Sequence, residues 1–141
     1  MNDPVQVSTE KRNNCIENKC TADKAIDNKL DTASVTLRKL NFNWWMATLV
    51  KTIKIETIMV FLSRYPFDSG FFNQFKVTIK LNMNDDWAVC KGPYSVKLPI
   101  WPHVIRCEAP VTLTKYIRIS AAGRKPLYLN EVKVSGVSQG K

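Results

Sequence analysis

From Trp44 onward, hydrophobic and polar residues alternate with a period of two. Val77, Ile79 and Leu81 are interleaved with Lys76, Thr78 and Lys80, and Val111, Leu113, Ile117 and Ile119 with Thr, Lys, Tyr and Arg residues. This period sends successive side chains to opposite faces of a strand, one buried and one wet. The segments 44–62, 75–81, 87–90, 94–98, 104–107, 111–120 and 127–134 are short and rich in Val, Ile, Thr, Tyr and Trp. Turn-forming groups separate them, among them Tyr65-Pro66, Ser69-Gly70, Asn82 to Asp86, Gly92-Pro93, Ala109-Pro110 and Ala122-Gly123. The pattern predicts an all-β domain, an antiparallel β-sandwich or jelly roll.

One interruption of the alternation is informative. Leu129 shares a face with Leu127, but the next apolar pair, Val132 and Val134, falls on the opposite phase. A β-bulge between Leu129 and Val132 accounts for the slip, and it leaves Glu131 close to buried surface, where a carboxylate needs a cation or several donors. Residues 1–34 differ from the rest. They are polar and rich in Asn and charge, with a short hydrophobic centre at Ala25-Ile26, and they read as an N-terminal loop region or a single helical turn within one domain spanning 1–141.

Composition narrows the class. With 141 residues, 45% hydrophobic and 10% aromatic, the chain can bury a real core, and disorder is excluded. No apolar stretch approaches the roughly 18 residues of a transmembrane helix. The 21 basic and 12 acidic residues give a net charge of +9. Residues 1–35 hold five basic and six acidic side chains, so the excess belongs to the remainder. Such a charge attracts polyanions, whether acidic glycans, nucleic acid or an anionic membrane. The four cysteines (Cys15, Cys20, Cys90, Cys107), with a single histidine and no paired ligand spacing, point to disulfides rather than zinc, and hence to a secreted or extracellular protein. No signal region follows Met1, which is the pattern of a mature portion or a domain from a longer chain. His103 has no catalytic neighbour in sequence and is read as either a structural or an exposed histidine, and at least one of Trp44 and Trp45 must be buried. No catalytic triad, phosphate-binding loop, paired-carboxylate site or nucleic-acid motif occurs, so neither enzyme activity nor nucleic-acid binding is expected.

Three stretches, in this order, resemble a known family. Ala22-Asp23-Lys24-Ala25-Ile26-Asp27-Asn28-Lys29-Leu30-Asp31-Thr32, Trp44-Trp45-Met46-Ala47-Thr48-Leu49, and Tyr116-Ile117-Arg118-Ile119 leading to Leu127-Tyr128-Leu129-Asn130-Glu131-Val132-Lys133-Val134-Ser135-Gly136 are similar to motifs of the F-type lectins. These lectins lie within the discoidin and coagulation-factor C superfamily of galactose-binding-like sandwiches. The resemblance implies a disulfide between Cys90 and Cys107 and, by remainder, a local one between Cys15 and Cys20.

It also implies a carbohydrate site. The family grips fucose with one His and an Arg-x-Asp-x₄-Arg/Lys motif. Arg64 matches the first Arg, but the His position falls near Thr36, the Asp on Pro66 and the last basic residue on Phe71. Asp68, Arg38 and Lys39 are the remaining polar groups able to stand in. The loop 64–72 gathers Arg64, Tyr65, Phe67, Asp68, Phe71 and Phe72 into either a cap on the core or an exposed stacking and cationic surface. The family's calcium site resembles Asp27 and Glu131, with carbonyls of Lys24 and Asn130; Lys29, however, stands where an Asn ligand is expected. Either a structural calcium ion or the Lys29 ammonium balances Glu131. The expected function is non-enzymatic extracellular recognition. Its partner is a glycan or glycoprotein bound by the Arg64 loop or, alternatively, a protein, an anionic membrane or a glycosaminoglycan.

Overall fold

The computed structural model describes residues 5–7, 25–26, 34–35, 42–62, 70–98, 102–108, 113–122 and 128–138. Eight strands follow one another: β1 (Val5–Val7), β2 (Ser34–Val35), β3 (Phe42–Leu62), β4 (Gly70–Lys80), β5 (Ala88–Leu98), β6 (His103–Ile105), β7 (Leu113–Ala122) and β8 (Tyr128–Ser138). All pairings are antiparallel, in the order β2-β8-β3-β7-β4-β5, with β1 and β6 also on β3.

The 21-residue β3 organises the molecule. Its first half, Phe42 to Thr48, pairs with β7, and β1 lies against Ala47 to Leu49. Its second half, Ile53 to Leu62, pairs with β8, and β6 lies against Ile58 to Val60. The register breaks between Thr48 and Ile53, where the strand passes from one set of neighbours to the other. The sheet thereby curls into two layers, β1-β3-β7-β4-β5 and β6-β3-β8-β2, that share one hydrophobic cluster. Trp45, Leu49, Val77, Ile117 and Ile119 enter it from the first layer, and Ile58, Val60, Ile105, Val132 and Val134 from the second. Trp45 is fully buried and Trp44 half-buried, as neighbouring strand positions require.

Two bulges set the phase of the core. In β3, Ile55 faces Gly136 and Thr57 faces Ser135, so Glu56 is the extra residue, and the inward side chains move from odd positions (Ile53, Ile55) to even ones (Ile58, Val60, Leu62). Gly136 is needed there because a Cβ would run into the Lys54 carbonyl. In β8, Phe61 faces Glu131 and Leu62 faces Leu129, which makes Asn130 the extra residue. This is the slip expected between Leu129 and Val132.

Three boundaries differ from the alternation-based reading. The N-terminal region is not only a loop or helical turn, since it contributes β1 and the first residue of β2. β4 begins at Gly70, so Phe71 and Phe72 stand on a strand opposite Lys97 and Val96 rather than in a loop. The expected turn at Gly92-Pro93 lies inside β5 instead. Gly92 has φ 109°, and a Cβ on it would sit 2.5 Å from the Phe75 carbonyl, so glycine lets the strand bulge and continue where other residues would break it.

Candidate functional site

The strand ends decide where a recognition surface can form. Ile53 pairs with both Thr114 of β7 and Ser138 of β8. From that corner β7 runs to Ala122 and β8 runs back to Tyr128, and residues 123–127 join the two, a span of at most about 20 Å. Ala122 faces both Phe42 and Asn73, Gly70 faces Leu98, and Tyr128 faces Val35. The segments 36–41, 63–69 and 99–101 therefore leave from and return to strand termini gathered at one end of the sandwich. The β4–β5 connection and the β3 corner lie at the other.

The candidate sugar-binding positions Arg64, Tyr65, Phe67, Asp68, Thr36, Arg38 and Lys39 belong to segments anchored at this first end, and they lie outside the described residues. Phe71 and Phe72 begin β4 there. Lys24, Asp27, Lys29, Cys15 and Cys20 also lie outside the described residues. Ala25, next to Lys24, is fully buried in the core, and Ile26 packs against it.

Of the calcium-site candidates, Glu131 and Asn130 are described, at 3% and 5% exposure. The bulge explains their burial. Glu131 follows the extra residue and shares a face with Phe61, away from the inward Val132, and Phe61 is itself 9% exposed. A carboxylate so enclosed requires a counter-charge or a set of donors. Among the described residues no three His, Cys, Asp or Glu side chains come together as a metal-binding group.

Just beneath the first end, an aromatic group joins the two layers. The ring of Phe75, fully buried, meets Tyr94 and His103 edge-on at centroid distances of 5.6 and 5.9 Å. The Tyr94 hydroxyl and His103 Nε2 share a hydrogen bond of 2.7 Å. Burial, reinforced by Glu108, pushes the Tyr94 phenol up to about 12. Burial, reinforced by Lys91, holds His103 below its ordinary value, so its ring is neutral at physiological pH. Next to this pair, Cys90 and Cys107 form a disulfide (S–S 2.08 Å), and the Glu108 amide donates to the Cys90 carbonyl at 2.7 Å. β5 edges one layer and β6 the other, so these contacts close the seam of the sandwich. The cystine was implied by the family resemblance, and of the two roles expected of His103, structural or exposed, the contact with Tyr94 selects the structural one. The Tyr94–His103 partnership left no trace in the sequence, because the two residues meet only once the layers close.

No family model matches the chain, and no curated protein matches it. Solved structures do. A family 32 carbohydrate-binding module from Clostridium perfringens NanJ, in complex with galactose, superposes with a TM-score of 0.69 at 16% identity, over 84% of this chain and 86% of that one. An F5/8 type C domain from Bacteroides fragilis gives 0.69 at 17% identity, over 88% and 85%. The fold is the discoidin-like β-sandwich. A fucolectin from striped bass (Morone saxatilis) serum shares it, with a TM-score of 0.68 at 19% identity over 92% of this chain and 45% of that one. The discoidin-like sandwich presents the gathered strand ends described above, and it carries the expected antiparallel sandwich at no more than 19% identity to any of the three.

Proposed function

We propose that this chain is an extracellular, non-enzymatic recognition module that binds glycan at the end of the sandwich where segments 36–41 and 63–69 are anchored. Arg64 donates to sugar oxygens, and Tyr65, Phe67, Phe71 and Phe72 provide an apolar floor for the C–H face. The observation that carries this reading is the gathering of strand termini at that end, in a fold whose solved neighbours include a galactose complex and a fucolectin. The Cys90–Cys107 bridge supports an oxidising compartment. The missing His and Asp of the fucose motif make the specificity other than the usual fucose grip.

A glycan array with wild type and Arg64→Ala tests the proposal. Binding by wild type that is lost in the variant supports it; no binding by wild type removes it. The net charge of +9 favours one second reading, an anionic membrane or polyanion partner. Co-sedimentation with liposomes, with and without phosphatidylserine at two salt concentrations, separates the two, because only the second responds to acidic lipid.

A further inference from the structure

Apart from glycine, Gln74 is the one described residue with a positive φ, at 55°. It sits where β4 gains a residue against both neighbours. With β5 the register moves from Phe72 opposite Val96 to Phe75 opposite Tyr94, and with β7 from Asn73 opposite Ala122 to Lys76 opposite Ser120. A left-handed backbone favours glycine, or failing that asparagine, because a Cβ crowds the carbonyl there. Packing does not explain the glutamine, since Gln74 is exposed while Phe75 beside it is fully buried. Bulges of this kind re-aim a side chain and recur beside functional sites.

The bulge faces Ser95 of β5. Tyr94 turns inward onto the Phe75 ring and Val96 into the core, so Ser95 and Lys97 stand on the outer face, and both are exposed. They are about 7 Å apart along the strand. Among the described residues, the Gln74 amide, the Ser95 hydroxyl and the Lys97 ammonium have no hydrogen-bond or ion-pair partner. This polar row begins at the first end of the sandwich, where Lys97 faces Phe71 and Asn73 meets the last residue of β7.

We propose that Gln74, Ser95 and Lys97 form a subsite on the outer face of the β4–β5 ribbon for the next unit of a neutral oligosaccharide whose leading unit sits on the Arg64 loop. The subsite rests on the glycan reading of that end. The carboxamide offers two N–H donors and an acceptor, the hydroxyl a donor and two lone pairs, and the ammonium three donors, which together answer sugar hydroxyls in both directions. Two of the three groups are uncharged, which suits hydroxyls better than an anion.

A glycan array of neutral mono-, di- and trisaccharides, followed by titration, tests the proposal on wild type, Gln74→Gly and Ser95→Ala. Wild type should bind a trisaccharide more tightly than its monosaccharide, with little change at high salt. Gln74→Gly should reduce that advantage about fivefold while its melting midpoint rises by about 3 °C, because glycine relieves the left-handed position. Ser95→Ala should reduce it similarly with an unaltered midpoint. An advantage kept in both variants, or absent from wild type, overturns the subsite and leaves the glycan reading standing. No binding by wild type removes both. A steep fall of affinity with salt overturns the subsite in favour of an anion on Lys97. A midpoint that falls in Gln74→Gly makes the glutamine structural and overturns it too.

Discussion

His103 and Glu131 are both ionisable groups enclosed by this fold, and their burial has opposite consequences. The folded state disfavours the His103 imidazolium, so its pKa lies below that of the unfolded chain. As pH falls below about 6.5, the unfolded chain takes up a proton that the folded one resists. Stability contributed by neutral His103 is therefore present above that pH and is lost as pH drops through the lowered folded value. Melting curves from pH 7.5 to 5 should show a decline in wild type that His103→Gln reduces; parallel declines would mean that other groups set the slope. Glu131 is the reverse case, a buried carboxylate that needs a counter-charge or a set of donors. The family resemblance leaves calcium or the Lys29 ammonium for that role, and we propose the ammonium. Lys29→Met should lower the melting midpoint while calcium and chelator leave wild type unchanged, and a calcium-dependent rise would replace the ion pair with the metal. The burial of Glu131 was legible because it follows from the phase of Leu129, Val132 and Val134. Its partner was not, since alternation reports which face is covered and not what covers it.

At the level of elements, the period-two signal located β3, β7 and β8 because each buries one face along most of its length. It failed where backbone chemistry overrode it. Gly92-Pro93 reads as a turn, yet β5 passes through it, because glycine at φ 109° produces a bulge that keeps the strand on β4. Gly92→Ala forces a Cβ against the Phe75 carbonyl in a backbone region unfavourable to L-residues, and should cost about 1–3 kcal/mol in a denaturant melt. A loss within a few tenths would mean that β5 re-lays its bulge. The seam between β5 and β6 is closed covalently as well. Replacing Cys90 and Cys107 together by Ala opens a loop of 17 residues' separation and should cost about 3 kcal/mol, read as a lower denaturation midpoint. Trp87, Lys80 and Arg118 show a second limit of pattern reading. Each position reads as an ordinary strand or turn residue, and only the β4–β7 register, with Thr78 opposite Arg118, brings the cations onto one indole.

For the whole molecule, one long strand shared by two layers makes the stability uneven. β3 has neighbours on both sides over much of its length, β7 and β1 in its first half, β8 and β6 in its second, whereas β1, β2 and β6 span only three, two and three residues. Local opening is cheapest where few buried contacts and few ladder bonds must be broken together. In native-state hydrogen exchange, the amides of Trp45 to Leu49 and Ile58 to Val60 should be the slowest, exchanging only with global unfolding. Those of β1 and β2 should exchange through smaller openings and respond little to denaturant. The experiment also bears on the proposed site. It lies at one end of the β4–β7 pair, where Asn73 stands against Ala122, while Lys80 against Tyr116 marks the other end. A rigid β3–β7–β4 core would confine the effect of binding, so a glycan bound at the first end should slow exchange around Ala122 and leave the amides around Lys80 unchanged. Protection that spreads to Lys80 would instead mean that the sandwich couples its two ends.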